Sequence, residues 1–351
     1  EKQVIDAVLE SLASEDKRFW RRADEYWNAR GGSYTDGGAF LFDVIPTDDG
    51  GKELVMTNKF GDLVDTHPAG EYGIEDAADE SPVEIDKMDS DLAYLSVLEA
   101  LPHMGWPEAL ATLEAIESNA SSAGREWAWG LLCRLLDRRY DTGSLRRSRW
   151  IDSVEASLIR TISAARHQPC DSFTGQMTPG HRPVPDSDTQ GIVVDARPYP
   201  PEGPDSLALE LVALHKAGWN RFVLLHCRGH RFIGNGFGPH TSDVEIDVLG
   251  AVGDYLGSGS DGMRITMHGN AQDQVAQIHK AGELVVHGDV GQCYGYGAKG
   301  GRLFVLGNAA GRPMINAVGS PKVVINGTAL DYLAESFMAG DPLDGGGFVI
   351  I

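Results

Sequence analysis

The feature that most constrains this sequence is a repeat that begins near residue 244. Each unit is a short apolar strand closed by a glycine: VEIDVLG, MRITMHG, ELVVHG, RLFVLG and KVVING. The closing glycines are 19, 19, 19 and 20 residues apart, at Gly250, Gly269, Gly288, Gly307 and Gly327. A fixed period of about 20 residues is typical of a solenoid, in which each repeat buries its apolar face against its neighbours. A sixth unit begins with GGFVII before the sequence stops, which is the pattern expected of a truncated solenoid.

The residue types favour a parallel β-helix among the solenoids. The LxxLxLxxN frame of leucine-rich repeats is missing, and the strands are rich in valine, isoleucine and phenylalanine. Glycine fits the corners of a β-helix because it tolerates a positive φ and close approach of neighbouring backbone. A second set of glycines precedes the strands, at Gly262, Gly282, Gly301 and Gly319. We therefore expect the C-terminal half to be mainly β, a parallel β-helix with turns of about 19 residues and structural corners at the closing glycines.

Small polar residues follow the closing glycines. They are Asn270, Asp289, Asn308 and Thr328. Equivalent residues of successive coils lie about 4.8 Å apart, so these side chains can hydrogen-bond from one coil to the next. The sequence therefore predicts a structural ladder at this position, in preference to a ligand site.

Composition divides the sequence into three parts. Residues 1–168 read as an acidic, mostly α-helical region with a short pair of strands, in GGAFLFDVI and KELVMTNKFGDLVD. Residues 169–187 contain several prolines and are expected to be a linker. Residues 188–351 form the β-helix domain, with an entry strand, helix and strand over 188–240 and repeats over 241–351.

The charge argues against two classes of partner. The chain has 30 Lys and Arg against 51 Asp and Glu, a net charge of -21. Such a field repels nucleic acid and anionic lipid, so we expect neither as a partner. No apolar run is long enough to span a bilayer, and EKQVIDAVLE does not resemble a signal peptide. We therefore expect a cytoplasmic protein with no membrane span.

Motifs that suggest a cofactor or metal site have a structural interpretation here. GNGFG at 234–238 and GYGAKGG at 295–301 resemble dinucleotide-binding strings, but GYGAKGG leads into a strand and not a helix, which favours β-helix corners.

A metal ion could be bound by His226, Cys227, His230 and His240, but Arg228 and Arg231 would repel a cation. The four cysteines are too far apart for a self-contained iron–sulfur or zinc cluster. His268 and His287 occupy equivalent places in consecutive repeats and are expected to stack.

Two groups of residues are candidates for an interface. Arg228, His230 and Arg231 lie in the loop-like segment HCRGHRFIG, which can face another domain or an anion. Arg134 and Arg138 lie on the polar face of the predicted helix REWAWGLLCRLLDRRY and are candidates for a contact between subunits, although a solvated charged face is the simpler interpretation.

The second half of the chain resembles a known family. GWNRFVLLHCRGHRFIGNGFGP, GDYLGSG, HGNAQDQVAQIHKAGELVVHGDVGQ, YGAKGGRLFVLGNAAGRPMINAVG and INGTALDYLAESFMAGDPLDGGGFVII look like the C-terminal domain of the glutamate synthase large subunit. That family, described by its GxGxG repeats, also includes one of the subunits of formylmethanofuran dehydrogenase. The resemblance covers about residues 190–351.

The resemblance implies a right-handed β-helix that organises neighbouring catalytic domains. It implies a non-catalytic scaffold within an oxidoreductase complex, with amidotransferase, flavin and iron–sulfur proteins as partner chains. Flavin and iron–sulfur clusters are then expected in those partners, and no catalytic, cofactor-binding or metal-binding residue is assigned to this chain. Residues 1–170 do not resemble the amidotransferase domain of that family. A scaffold of a formylmethanofuran or formate dehydrogenase complex, and an enzyme with its own site between the two regions, remain as alternatives.

Overall fold

The computed structural model describes residues 41–46, 52–57, 63–68, 89–164, 173–177, 182–185 and 191–351. These residues belong to two compact units, Tyr34–Asp171 and Ser172–Ile351. Residues 1–40 and 69–88 of the region predicted to be acidic and mostly helical lie outside the described residues, as does Cys170.

The unit Tyr34–Asp171 contains an antiparallel meander of three strands in sequence order. They are β1 (Leu41–Pro46), β2 (Lys52–Thr57) and β3 (Leu63–Pro68). The stretch KELVMTNKFGDLVD was predicted as one strand, but it supplies both β2 and β3, which pair with each other from Glu53↔Pro68 to Thr57↔Leu63. The reason lies in NKFGD between them, because Asn, Gly and Asp favour turns.

The described residues of the same unit also form four α-helices, within the region predicted to be mostly α-helical. They are α1 (Ser90–Ala100), α2 (Trp106–Ala123), α3 (Arg125–Asp137) and α4 (Arg147–Ala164). Asp89 caps α1 by accepting hydrogen bonds from the backbone N–H groups of Asp91 and Leu92, both at 2.9 Å. Leu131 and Leu135, on the apolar face of α3, are fully buried. None of the described helices is long and apolar enough to cross a bilayer.

The unit Ser172–Ile351 is built on one parallel sheet of nine strands. Its strands are stacked in sequence order, so that each pairs with the next along the chain. They are β4 (Phe173–Met177), β5 (Gly191–Asp195), β6 (Arg221–His230), β7 (Glu245–Val252), β8 (Asp261–Met267), β9 (Ala281–Val286), β10 (Arg302–Val305), β11 (Lys322–Ile325) and β12 (Phe348–Ile350). From β7 onward the sheet is one face of a parallel β-solenoid of about five turns, which confirms the predicted solenoid.

A helix enters the unit before the solenoid begins. Helix α5 (Leu207–Lys216) connects β5 to β6, so the predicted strand, helix and strand are all present. Leu207, Leu211 and Leu214 of this helix are buried in the same core as Phe222 of β6. The entry unit therefore covers one end of the solenoid core and is continuous with it.

The segment predicted as a linker is partly structured. Within 169–187, β4 is the edge strand of the large sheet and pairs with β5. Residues 182–185 are bound to the same unit, since Arg182 makes hydrogen bonds of 2.8 Å to both carboxylate oxygens of Glu210 and the indole N–H of Trp219 donates to the Pro183 carbonyl at 2.8 Å. Prolines lack the donor that a central strand needs, but they are compatible with an edge strand and an extended segment.

Alternating burial of side chains forms the solenoid core. In β9 and β10, Leu284, Val286, Leu303 and Val305 point inward and are at most 1 % exposed, while their neighbours are partly exposed. A second row of contacts between coils links Val252, Ala271, Val290, Ala309 and Ala329 in turn. Each coil therefore contributes a few apolar side chains to a core that only stacking completes.

Candidate functional site

A turn with an unusual backbone follows each residue of the second row of contacts between coils. In the coil after β7, Tyr255, Gly257 and Gly259 have left-handed φ of 66°, 62° and 70°, and the residues between them do not. Their N–H groups point alternately to the two neighbouring coils: Tyr255 donates to Asp273 (3.0 Å), Gly257 to Ile233 (2.8 Å) and Gly259 to Gln277 (2.7 Å). The backbone N–H groups of these turns therefore form a further row of hydrogen bonds between coils.

The same pattern recurs along the solenoid and explains the GxGxG strings. The alternating positions are 232/234/236, 255/257/259, 274/276/278, 293/295/297, 312/314/316 and 332/334/336. Glycine often occupies the last two positions of a triplet, because a left-handed φ costs glycine no steric energy. The string GYGAKGG forms such a turn and leads into β10, so the interpretation of these strings as corners is confirmed.

The five closing glycines lie where the repeat places them, near the end of each strand. Gly250 has a positive φ of 112°, whereas the other four do not have a positive φ. Close approach of backbone explains those four. A Cβ on Gly307, for example, would lie within 3.0 Å of Asp289 Oδ1 and of the Gly288 carbonyl. A Cβ on Gly269, Gly288 or Gly327 would likewise collide with the carbonyl of the closing glycine one coil before it.

The predicted polar ladder is confirmed. Oδ1 of Asn270 accepts from the N–H of Asp289 at 2.7 Å, Oδ1 of Asp289 accepts from the N–H of Asn308 at 2.6 Å, and Oδ1 of Asn308 accepts from the N–H of Thr328 at 2.9 Å. His268 and His287, one residue before the closing glycines, also stack as predicted, with ring centroids 5.6 Å apart and planes 3° from parallel.

A cluster of charged and polar side chains lies at the carboxyl ends of β5 and β6. Asp195 is the last residue of β5, and its carboxylate is bound by the guanidinium of Arg197, with Nε at 3.0 Å and Nη2 at 2.5 Å from Oδ2. The other carboxylate oxygen, Oδ1, lies 3.3 Å from Nδ1 of His226 in β6. Asp195 thus joins a cation and an imidazole across two neighbouring strands.

The electrostatics of this cluster follow from burial and from the arginines. Burial alone would raise the pKa of Asp195, but the hydrogen bonds from Arg197 outweigh it and lower the pKa to about 2. Burial lowers the pKa of His226, and the positive charges of Arg197 and Arg228 act in the same direction. Near neutral pH the cluster therefore holds an ionised carboxylate and a neutral imidazole.

The backbone aims His226 out of the regular strand. The pairing of β6 with β7 shifts register between Leu224 and Cys227, which places His226 in a β-bulge. Its φ is 57°, and among the described non-glycine residues only His226 and His240 have a positive φ outside the repeated turns. Bulges redirect a side chain, and a left-handed φ in a residue with a Cβ is a source of strain.

The interface candidates His230 and Arg231, from the same segment HCRGHRFIG, contact different partners. His230 is buried, with Nε2 at 3.1 Å from the Tyr199 carbonyl and Nδ1 at 3.0 Å from the N–H of Arg228. Arg231 forms ion pairs of 3.0 Å with both Glu202 and Asp254.

The histidines and the cysteine of this segment do not converge as a ligand set. Cys227 belongs to the hydrophobic core, while the rings of His226 and His230 are engaged with different partners.

The helical arginines also differ from each other. Arg134 of α3 is paired with Asp91 of α1, within the unit Tyr34–Asp171. Arg138 is exposed, and no ion pair of its side chain is found among the described residues. Arg138 therefore remains available to solvent, whereas Arg134 serves to join two helices.

A charged groove of about 500 Å³ crosses the starts of the solenoid strands. Opposite charges alternate along it: Arg264 lies 3.2 Å from Glu245 and 3.5 Å from Glu283, which lies 2.9 Å from Arg302. The alternation ends at β11, where Lys322 is directly opposite Arg302.

Sequence reasoning identified His226 but not its partners. Asp195 and Arg197 lie about thirty residues before it, and no short motif joins them. A signal was present nonetheless, because Asp195 ends a buried strand, and the carboxyl ends of neighbouring parallel strands meet at one edge of a sheet.

Comparisons with protein-family models, with curated proteins and with solved structures found no match to this chain.

Proposed function

We propose that residues 191–351 are a non-catalytic scaffold of a glutamate-synthase-like oxidoreductase complex. In this proposal the solenoid fixes the relative positions of an amidotransferase and of flavin or iron–sulfur proteins in the cytoplasm. The observation that carries it is the continuous hydrogen bonding from coil to coil, which joins nine strands into one body.

Three independent rows of hydrogen bonds support the rigidity that a scaffold needs. The first is the parallel sheet itself, the second is the ladder from Asn270 to Thr328, and the third is formed by the turns with alternating φ. The rows are connected by a core of side chains that are almost wholly buried. Bending the solenoid would stretch at least one row and open this core, so it resists deformation.

The resemblance to the C-terminal domain of the glutamate synthase large subunit gives the proposal its redox context. The GxGxG strings on which that resemblance rests form one repeated element in this chain, as at Tyr255–Gly259 and Cys293–Gly297. The repeated element supports the comparison at the level of architecture. The oxidoreductase role rests on the resemblance, and the flavin and iron–sulfur chemistry belongs to the partner chains in this proposal.

The experiment is to purify the chain alone and to record its absorption spectrum and metal content. We expect a colourless protein without stoichiometric iron, zinc or flavin. Flavin or stoichiometric metal bound to the isolated chain would overturn the non-catalytic role. Partner identity then separates a glutamate synthase complex from a formylmethanofuran or formate dehydrogenase complex.

A further inference from the structure

The cluster at the carboxyl ends of β5 and β6 has features that the scaffold proposal does not use. His226 sits in a β-bulge with a left-handed φ that is not part of the repeated turns. The Asp195 carboxylate, whose side chain is 9 % exposed, holds one nitrogen of the ring, and about 29 % of the His226 side chain is exposed. A strained residue held in place by a buried charge points to a role beyond packing.

The protonation of the ring follows from its neighbours. An ionised carboxylate can only accept hydrogen bonds, so Nδ1 of His226 carries the proton and donates a hydrogen bond to Oδ1 of Asp195. In a neutral imidazole the other nitrogen, Nε2, then presents a lone pair. No hydrogen bond to Nε2 is found within the described residues, so this acceptor can receive a proton donor from a ligand.

An exposed cation lies two residues further along β6. The side chains of His226 and Arg228 are accessible to solvent, whereas Cys227 between them is buried, so the two side chains lie on the same outward face of the strand. The positive charge of Arg228 also lowers the pKa of His226. Within the part of the chain that the structure describes, Arg228 has no ion pair, whereas Arg197 is bound to Asp195 and Arg231 to two carboxylates. Because the charges of Asp195 and Arg197 neutralise each other, the Arg228 guanidinium is the one unpaired charge of the cluster. This positive charge lies in a chain whose net charge is -21.

We propose that Asp195, His226 and Arg228 form a binding site for a small carboxylate that also carries a hydroxyl or ammonium hydrogen. The carboxylate binds the Arg228 guanidinium, which matches it in shape and charge. The hydroxyl or ammonium group of the ligand donates a hydrogen bond to Nε2 of His226. Asp195, fixed by Arg197, is a positioning residue that keeps the proton on Nδ1. This site is independent of the scaffold proposal, because it needs no partner chain.

The size of the cluster selects a small molecule over a polyanion. One unpaired arginine and one acceptor match one carboxylate and one hydrogen-bond donor. A polyanion requires several unpaired cations along its length, and it is repelled by the strongly negative chain.

The test is an NMR titration of the whole chain with ¹⁵N-labelled histidine. The probes are lactate and alanine, which have both groups, and propionate, which has the same carboxylate without the second group. We expect lactate and alanine to shift the His226 ring resonances in a saturable way. Propionate should bind at least about 10-fold more weakly, because it leaves Nε2 without a donor.

Variants separate the roles of the residues. Arg228→Gln should weaken lactate binding by about 10-fold or more, because it removes a charged hydrogen-bond partner. Arg264→Gln, which changes an exposed arginine elsewhere on the sheet, should leave the affinity unchanged. His226→Asn should abolish binding and still fold, because Asn tolerates a left-handed φ.

Two results would overturn the proposal. The first is the absence of a saturable His226 shift with lactate or alanine in the unaltered chain, which does not depend on the folding of any variant. The second is equal affinity of lactate for the unaltered chain and for Arg228→Gln. Neither result affects the scaffold proposal, whose test is the cofactor content of the chain and its partners.

Discussion

Oδ1 of Asn270 accepts a hydrogen bond of 2.7 Å from the backbone N–H of Asp289, one coil further along the solenoid. Asp289 repeats the relationship with Asn308, and it also accepts from the Asn308 side-chain amide at 3.0 Å. Asn270, Asp289 and Asn308 each accept a hydrogen bond from a backbone N–H of the following coil. The ladder stabilises the stack through groups that have few alternative partners.

Replacing the central member of this ladder should be costly. We expect Asp289→Ala to lower the free energy of unfolding by about 1–3 kcal/mol, because it leaves the partly buried N–H of Asn308 without an acceptor. Asp289→Asn keeps an acceptor oxygen and is the matched control, with a smaller loss. Urea denaturation of both variants measures the difference, and equal losses would contradict the ladder as the cause.

Glycine is needed in the solenoid for two reasons, close approach of neighbouring backbone and a left-handed φ, and two substitutions separate them. A Cβ on Gly307 would collide with Asp289 Oδ1 and the Gly288 carbonyl, although its φ is not positive. Gly259 has a φ of 70° and no atom within 4 Å of an added Cβ. We expect Gly307→Ala to cost more than about 2 kcal/mol through backbone displacement, and Gly259→Ala to cost about 1 kcal/mol through strain alone. Thermal unfolding of the pair would contradict this account if Gly259→Ala were the more damaging.

A buried histidine predicts how stability depends on pH. His279 is fully buried, and its Nδ1 lies 2.6 Å from Ser260 Oγ, which also lies 2.8 Å from the Gly257 carbonyl. Burial lowers the pKa of His279 from 6.5 to about 4. The unfolded chain therefore binds a proton that the folded chain rejects between about pH 6.5 and 4. The stability that neutral His279 provides is complete above pH 6.5 and is lost as the pH falls through this window.

The loss of unfolding free energy should reach about 3 kcal/mol by about pH 4, because a pKa difference of one between the folded and unfolded chains corresponds to about 1.4 kcal/mol. Urea denaturation at a series of pH values measures it. His279→Gln should weaken the dependence in this window, the remainder coming from His226 and His230, whose pKa burial also lowers. The exposed His240→Gln should retain the full dependence. Parallel curves for the unaltered chain and His279→Gln would show that another group is responsible.

The end of the charge alternation predicts a stabilising substitution. Lys322 and Arg302 are directly opposite each other on neighbouring strands, and like charges in this position repel. Lys322→Glu continues the alternation and should raise stability by about 0.5 kcal/mol at low salt, with the gain disappearing at high salt. This gain is expected although the net charge becomes more negative. Lys322→Gln, which only removes the repulsion, should give a smaller gain; a loss with Lys322→Glu would argue against a stabilising role for the alternation.

The sequence predicted the solenoid because its signals are local and repeated. The strand-closing glycines, the ladder from Asn270 to Thr328 and the stack of His268 on His287 all follow from one period of about 19 residues. The alternating φ of the turns was less accessible, because several of its positions carry ordinary residues such as Gln274 and Ile278, whose left-handed backbone is imposed by hydrogen bonds from neighbouring coils.

The candidate site was harder to predict because it depends on tertiary pairing. Asp195 and His226 become neighbours only when β5 and β6 pair, and the bulge that turns His226 outward has no sequence signature. Arg231 was grouped with Arg228 by sequence, yet the fold gives it two carboxylate partners and leaves Arg228 exposed. Which of two similar arginines stays free to bind a ligand thus depends on carboxylates that are distant in the sequence and adjacent only in the fold.

The proposed role of this chain as a scaffold for redox partners is tested most directly by native mass spectrometry of the complex isolated from its own cells. We expect an assembly in which this chain is bound in fixed stoichiometry to amidotransferase, flavin or iron–sulfur proteins, and in which those proteins hold all the cofactor. A chain isolated without such partners, or one that itself carries the flavin or metal, would contradict it.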